Sequence, residues 1–192
     1  MLFDSKFTYG LDNGEVDDYK DAIKNNVFKN VYIQSATNMD LKNNSVNFAF
    51  SNSVLEHIKD VDSVLNETYR ILNNGGYFVF TVPSIYFYNF LHFKDPFTKY
   101  YLNKVNKKLN HYHLYESKKW ILKLKNAGFK KIEFSYYLDK KTLFFWNLLM
   151  FLSLIFSQSF ILKMFSAKIN NFINNSKMSM DKGACLVFVC EK

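Results

Sequence analysis

The stretch from Val46 to Ser84 constrains the fold of this chain more than any other. An apolar run, Val46 to Phe50, leads into the polar Ser51-Asn52-Ser53 and then Leu55-Glu56-His57-Ile58. Asp60 or Asp62 offers a side-chain oxygen to cap a helix. Val61, Val64, Leu65, Ile71 and Leu72 recur at helical spacing, and Asn74-Gly75-Gly76 supplies the stop. A second apolar run, Tyr77 to Val82, closes the unit before Pro83-Ser84. Strand, amphipathic helix and strand in this order form a right-handed βαβ crossover, the building block of a parallel sheet. Such sheets bind their ligands beyond the carboxyl ends of the strands, which places the candidate chemistry at Ser51 to His57 and at Pro83-Ser84.

The flanking sequence extends the alternation. Phe7 to Asp12 reads as a short strand ending in an acid, followed by a polar helical stretch in which Tyr19, Ala22, Ile23 and Val27 are expected to face a core. Val31 to Ile33 reads as the next strand, and Ala36 to Asn44 as a loop. Ile85 to Tyr115, aromatic, basic and broken by Pro96, reads as a cover over the sheet edge. Glu116 to Ala127 presents Trp120, Ile121 and Leu124 on one helical face, and Gly128 ends it. Phe129 to Tyr137 and Ala184 to Val189 read as the last two strands.

A chain of 192 residues suffices for one sizeable core. Cys185 and Cys190, five apart in a strand, point to opposite faces and cannot bridge each other. The start of the chain does not resemble a signal peptide, so a cytoplasmic location is expected. Residues 1–97 hold 8 Lys/Arg against 12 Asp/Glu, and residues 98–192 hold 17 against 5. A basic half of this kind suits an anionic partner, nucleic acid or lipid headgroups. No nucleic-acid module accompanies it, however, and every basic residue except Arg70 is Lys, in a chain heavy in Asn, Phe and Tyr as an AT-biased gene would make it. Nucleic acid is therefore not the expected partner.

In order and spacing, Phe7 to Asp12, Gln34 to Leu41, Asn44 to Asn47 and above all Ser51 to Ser84 resemble the class I S-adenosylmethionine (SAM) dependent methyltransferases of the type 11 group. The resemblance runs from Phe7 to about Phe134 and returns at Cys185 to Lys192. It implies a Rossmann-like α/β sheet whose last strand is antiparallel, SAM as cofactor, and methyl transfer to a small or lipid-linked acceptor. By that resemblance Asp12, with Asn13 beside it, receives the ribose hydroxyls, although Asp12-Asn13-Gly14 is equally a turn signal. Ser35 stands where the family commonly places an Asp for adenine, while Ala36 and Met39 supply a backbone contact and an apolar wall. Ser51 and Asn52 lie beside the sulfonium. His57 is the candidate general base, against the alternative that Leu-Glu-His-Ile only packs a helix start. Pro83, Ser84, His111, His113 and Tyr115 line the acceptor side; no third ligand accompanies the two histidines, and metal binding is not expected.

The family's first strand and glycine-rich loop have no counterpart among Gly10, Gly14, Gly75, Gly76, Gly128 and Gly183. The expectation is a sheet truncated at its N-terminal side, with weakened SAM binding because glycines let the backbone approach the nucleoside closely. A fragment of an active enzyme would fit. So would a non-catalytic remnant acting as a scaffold, binding or membrane-associated protein, with a partner or missing segment at the exposed sheet edge.

Thr142 to Leu162 carries no charge and is flanked by Lys140-Lys141 and Lys163. Because strands expected to share one sheet bracket it, a helical hairpin fits better than a span. The expected organisation is a methyltransferase-like domain over 1–138 and 182–192 and a hydrophobic hairpin over 139–181, which through residues 142–173 covers the acceptor or touches a membrane surface.

Overall fold

In the computed structural model, residues 7–14, 18–25, 27–90, 111–145 and 181–192 are described. The expected α/β order is present: strand β1 (Phe7–Asp12), helix α1 (Asp18–Lys24), β2 (Phe28–Ile33), β3 (Val46–Asn52), a 3₁₀ turn (Leu55–His57), α2 (Val61–Ile71), β4 (Leu72–Pro83), α3 (Tyr86–Phe90), α4 (Ser117–Ala127), β5 (Lys131–Tyr137) and β6 (Cys185–Glu191). β2 begins three residues earlier than the apolar run at Val31 suggests, and Ile23 of α1, expected to be core, is 54% exposed.

The strands form two sheets. β1 and β2 pair in parallel, while the second sheet has the order β3-β4-β6-β5. β3 and β4 are parallel, and β6 runs antiparallel to both β4 and β5. This is the mixed sheet, with its antiparallel last strand, that the family resemblance implies. Among the described residues one edge of β1 and one edge of β3 carry no strand partner.

α2 forms where expected and for the expected reason. Asp60 accepts from the Ser63 amide at 3.2 Å and from its hydroxyl at 2.7 Å, satisfying a helix-end donor. Val61, Val64, Leu65, Thr68 and Ile71 form the buried stripe. The helix passes directly into β4, and Asn73 to Gly76 is absorbed as an irregularity between the pairs Val46–Leu72 and Phe48–Tyr77. Gly76 is needed there, since a Cβ would lie 2.9 Å from the Asn73 carbonyl.

Alternation along β4 and β6 aims Phe78, Phe80, Val82, Leu186, Phe188 and Cys190 at the helices. Phe80, Phe188 and Phe134 are cross-strand neighbours in adjacent strands, stacked at 4.9 and 5.7 Å, and Trp120 of α4 closes over Phe80 at 5.5 Å. On the opposite face Phe48, Phe50 and Tyr77 are each more than 40% exposed among the described residues. Both cysteines are buried and unbridged.

The loop that follows the first sheet is tied to α2 by two side chains, Arg70 and Glu67. The Arg70 guanidinium donates to the main-chain oxygens of Met39 (2.8 Å) and Leu41 (2.7 Å), to Asn43 Oδ1 (2.7 Å) and to both carboxylate oxygens of Glu67. Glu67 in turn accepts from the Met39 amide at 2.7 Å.

Residues 140–145 are helical, with Asp139 accepting from the Thr142 amide, and Leu143 packs on Ala184 and Cys185. The rest of the expected hairpin, like most of the expected edge cover, lies outside the described residues. No helix among the described residues is long and apolar enough to cross a membrane.

Candidate functional site

The expected donor-side residues lie at the carboxyl ends of β1, β2 and β3. Asp12 ends β1: its carbonyl accepts from the Gln34 amide at 2.8 Å, and its Oδ1 accepts from the Gly14 amide at 2.7 Å. The turn is therefore real, and it leaves the carboxylate half-exposed at the strand end, beside the exposed Asn13. After β2, the exposed Ser35 bonds the Thr37 hydroxyl at 2.8 Å and accepts its amide at 3.2 Å. Ala36 packs on the main core, and Met39 is held on both its amide and its carbonyl by Glu67 and Arg70. At the end of β3, Ser51 is half-buried, and Asn52 accepts from the Thr81 hydroxyl of β4 at 2.6 Å.

Beyond Asn52 the chain turns sharply. Ser53 adopts a φ of 51°, and its amide donates to the Thr81 carbonyl at 3.0 Å. That turn drops Leu55 and Glu56 inward and leaves His57 outward. Glu56 is only 1% exposed, whereas the His57 side chain is 39% exposed. Burial pushes the Glu56 carboxyl up to about 7, opposed by its own main-chain hydrogen bond, and its Oε2 has no hydrogen-bond partner among the described residues.

The 111–115 segment is fastened onto this turn. The Tyr112 amide donates to the Glu56 carbonyl at 2.8 Å. His113, 8% exposed, sets its Nε2 against the carbonyls of Ile58 (2.9 Å) and Lys59 (3.2 Å) and stacks on Tyr115 at 5.0 Å. His111 lands elsewhere, with its ring 4.9 Å from that of His57 and edge-on to Phe87 at 6.2 Å. Burial first, and then the neighbouring His57, push the His111 imidazole down to about 4. The two histidines read from sequence as one pair thus have different partners, and His111 joins His57 and Glu56. The donor atoms of these three residues all lie within 4.8 Å of one another. Glu56 was not singled out from sequence; its charge inside an otherwise apolar helix start, Val54-Leu55-Glu56, was the available signal.

Pro83 ends β4 and Ser84 follows it, both buried. Ser84 is fully buried, its hydroxyl donating to the Gly183 carbonyl at 2.5 Å and accepting from the Tyr86 amide at 3.0 Å. Its hydroxyl thus joins β4 to the approach of β6. Tyr137 and Cys185 complete this wall; burial raises both, and Cys185 is pushed up to about 12.

Residues 7–80 match the family model of the methyltransferase domain. No curated protein matches the chain. Among solved structures, a SAM-dependent methyltransferase of Thermotoga maritima aligns with a TM-score of 0.63 at 20% identity, over 96% of this chain and 72% of that one. Phosphoethanolamine N-methyltransferase 2 of Haemonchus contortus, bound to S-adenosyl-L-methionine, aligns with a TM-score of 0.53 at 17% identity, over 98% of this chain but only 49% of that one. The cyclase SpnF aligns with a TM-score of 0.61 at 12% identity, so the architecture alone does not dictate the reaction. The sheet with its antiparallel final strand has the fold of these SAM-dependent methyltransferases, and residues 7–80 carry the match to the methyltransferase domain.

Proposed function

We propose that this chain binds SAM across the carboxyl ends of β1 to β3 and transfers its methyl group to a small or lipid-linked acceptor lying over His57. The observation that carries the reading is the half-exposed Asp12 carboxylate held at a strand end by the Gly14 amide. Its lone pairs suit a vicinal diol, and the pinned Met39 and core-anchored Ala36 suit an apolar ring, so the residues fit the nucleoside. Bound SAM supplies a methyl group on a sulfonium, a leaving group that needs no acid. The protein's part is to align donor and acceptor and exclude water. Asn52, fixed by Thr81, orients the floor of the site. An acceptor hydroxyl or amine must lose a proton, and the exposed His57, backed by the buried Glu56, is positioned to receive it.

Calorimetry tests the donor side. Saturable SAM binding that Asp12→Ala weakens at least about tenfold is expected, since one set of hydrogen bonds to a charged group is worth about 1.5–3 kcal/mol. Equal affinity of the folded variant and the wild type would remove Asp12 from the site. A second reading, a non-catalytic binding protein, draws on the edges of β1 and β3 that carry no strand partner among the described residues. That reading predicts a folded wild-type chain with no SAM binding at millimolar ligand.

A further inference from the structure

We infer that Glu56, His57 and His111 form a binding site for one divalent transition-metal ion of the zinc class. Two imidazoles and one carboxylate are a donor set that such ions prefer over magnesium or calcium. The three groups arrive by separate routes. The turn at Ser53 delivers Glu56 and His57, and the hydrogen bond from the Tyr112 amide to the Glu56 carbonyl delivers His111. Their donor atoms lie within 4.8 Å of one another, and His57 Nε2 is 3.9 Å from Glu56 Oε1. Tetrahedral zinc at about 2.0–2.2 Å from each ligand sets neighbouring donors about 3.3 Å apart. A contraction of about 1.5 Å or less closes the set, and rotation of the exposed His57 ring can supply most of it.

An independent observation points to a cation. Glu56 is almost wholly buried, yet its Oε2 has no hydrogen-bond partner among the described residues. A buried, unpaired carboxylate oxygen costs several kcal/mol in the absence of compensation, and a metal ion provides it. The exposed side of His57 leaves the remaining coordination position toward solvent, the arrangement of catalytic rather than structural zinc sites. With the ion bound, His57 is a ligand and not a free base. A hydroxyl acceptor in the open position would then lose its proton to solvent because the ion lowers its pKa. The proposal does not depend on methyl transfer, since the site is defined by the protein's own donors.

The test uses the full chain, stripped of metal by a chelator and titrated with Zn²⁺ against a chromophoric competitor. One equivalent should bind, and Co²⁺ in its place should give the visible absorption of a tetrahedral or five-coordinate centre. Glu56→Gln and His111→Ala should each weaken Zn²⁺ binding at least about 100-fold. His57→Ala, which alters an exposed side chain and leaves the fold intact, should weaken it comparably. Asp12→Ala should bind Zn²⁺ as the wild type does, so that failure of the SAM reading and failure of this one remain distinct. Absence of stoichiometric Zn²⁺ binding by the folded wild type would overturn the assignment. Binding unchanged in folded Glu56→Gln and His57→Ala would overturn it equally, by placing the ion elsewhere.

Discussion

Replacing Arg70 tests how the first sheet and its loop are held. The guanidinium fork bonds two main-chain carbonyls, an amide oxygen and a carboxylate at 2.7–2.8 Å, a pattern that no ammonium can reproduce. The side chain is 30% exposed, so the Glu67 pair is partly screened and contributes at most about 1 kcal/mol. The two carbonyl bonds add about 1 kcal/mol each. Arg70→Ala should therefore cost about 2–3 kcal/mol, and Arg70→Lys, which keeps the charge and one or two of the bonds, about 1–2 kcal/mol. Urea denaturation at pH 7 measures both. The pH dependence provides a second readout. The hydrogen bond from Arg70 is the largest influence holding the Glu67 carboxyl below its usual range. A lowered folded pKa means that the stabilisation is complete above the unfolded value and is lost as pH falls through the folded one. The stability gap between wild type and Glu67→Gln should thus be widest at neutral pH and shrink below about pH 4. An Arg70→Lys variant as stable as wild type at pH 7 would refute the anchoring role.

Further outcomes follow from burial and backbone geometry. Gly128 caps α4 with a φ of 110°, and a Cβ there would lie 2.7 Å from Tyr69 Cζ, so Gly128→Ala should cost about 3 kcal/mol in urea denaturation. Gly75→Ala is the control: φ is 75° but nothing lies within 4 Å, and the loss should be only about 1 kcal/mol. Burial pushes the Cys190 thiol, like that of Cys185, up to about 12. A thiol-disulfide reagent at pH 8 should therefore label the protein only in denaturing urea, and rapid labelling of two thiols in the native state would contradict their burial.

The central βαβ unit was legible because two independent signals coincide within it, the Asp60 cap and the Val61 to Ile71 stripe; the glycine stop falls inside β4 instead, since α2 ends at Ile71 and Leu72 is already extended. β2 was read short because Lys29 and Asn30 interrupt its apolar pattern, whereas the parallel pairing of Phe7 with Phe28 and Tyr9 with Asn30 supplies main-chain bonds that side-chain patterning does not record. Ile23 was read as core from helical spacing, but α1 has only seven residues and shows that face to solvent. Asp12, Ser51 and Asn52 were legible as strand-end positions, and β1 and β3 end there. The meeting of His111 with Glu56 and His57 was not legible. It depends on a main-chain hydrogen bond between segments 56 residues apart, from Tyr112 to Glu56, and such bonds leave no residue signature. Arg70 did leave one, as the only arginine in the chain.

The division of the strands into two sheets makes ligand affinity and local stability one quantity. β1 and β2 share no strand with the four-stranded body, and the described links between them run through the loop held by Arg70 and Glu67 and packed on the core at Ala36. A unit joined in this way is expected to open by sub-global fluctuation at a lower free energy than β4 and β6, whose neighbours hold both edges. Asp12 and Ser35 belong to the loosely joined unit, and Glu56 and His57 to the rigid one. Any nucleoside that bridges them must supply the free energy to close that fluctuation, and its apparent affinity falls by the fraction of time the unit stands open. Amide protons of β1 and β2, slowed in exchange as ligand is added while those of β6 stay constant, would register that coupling directly.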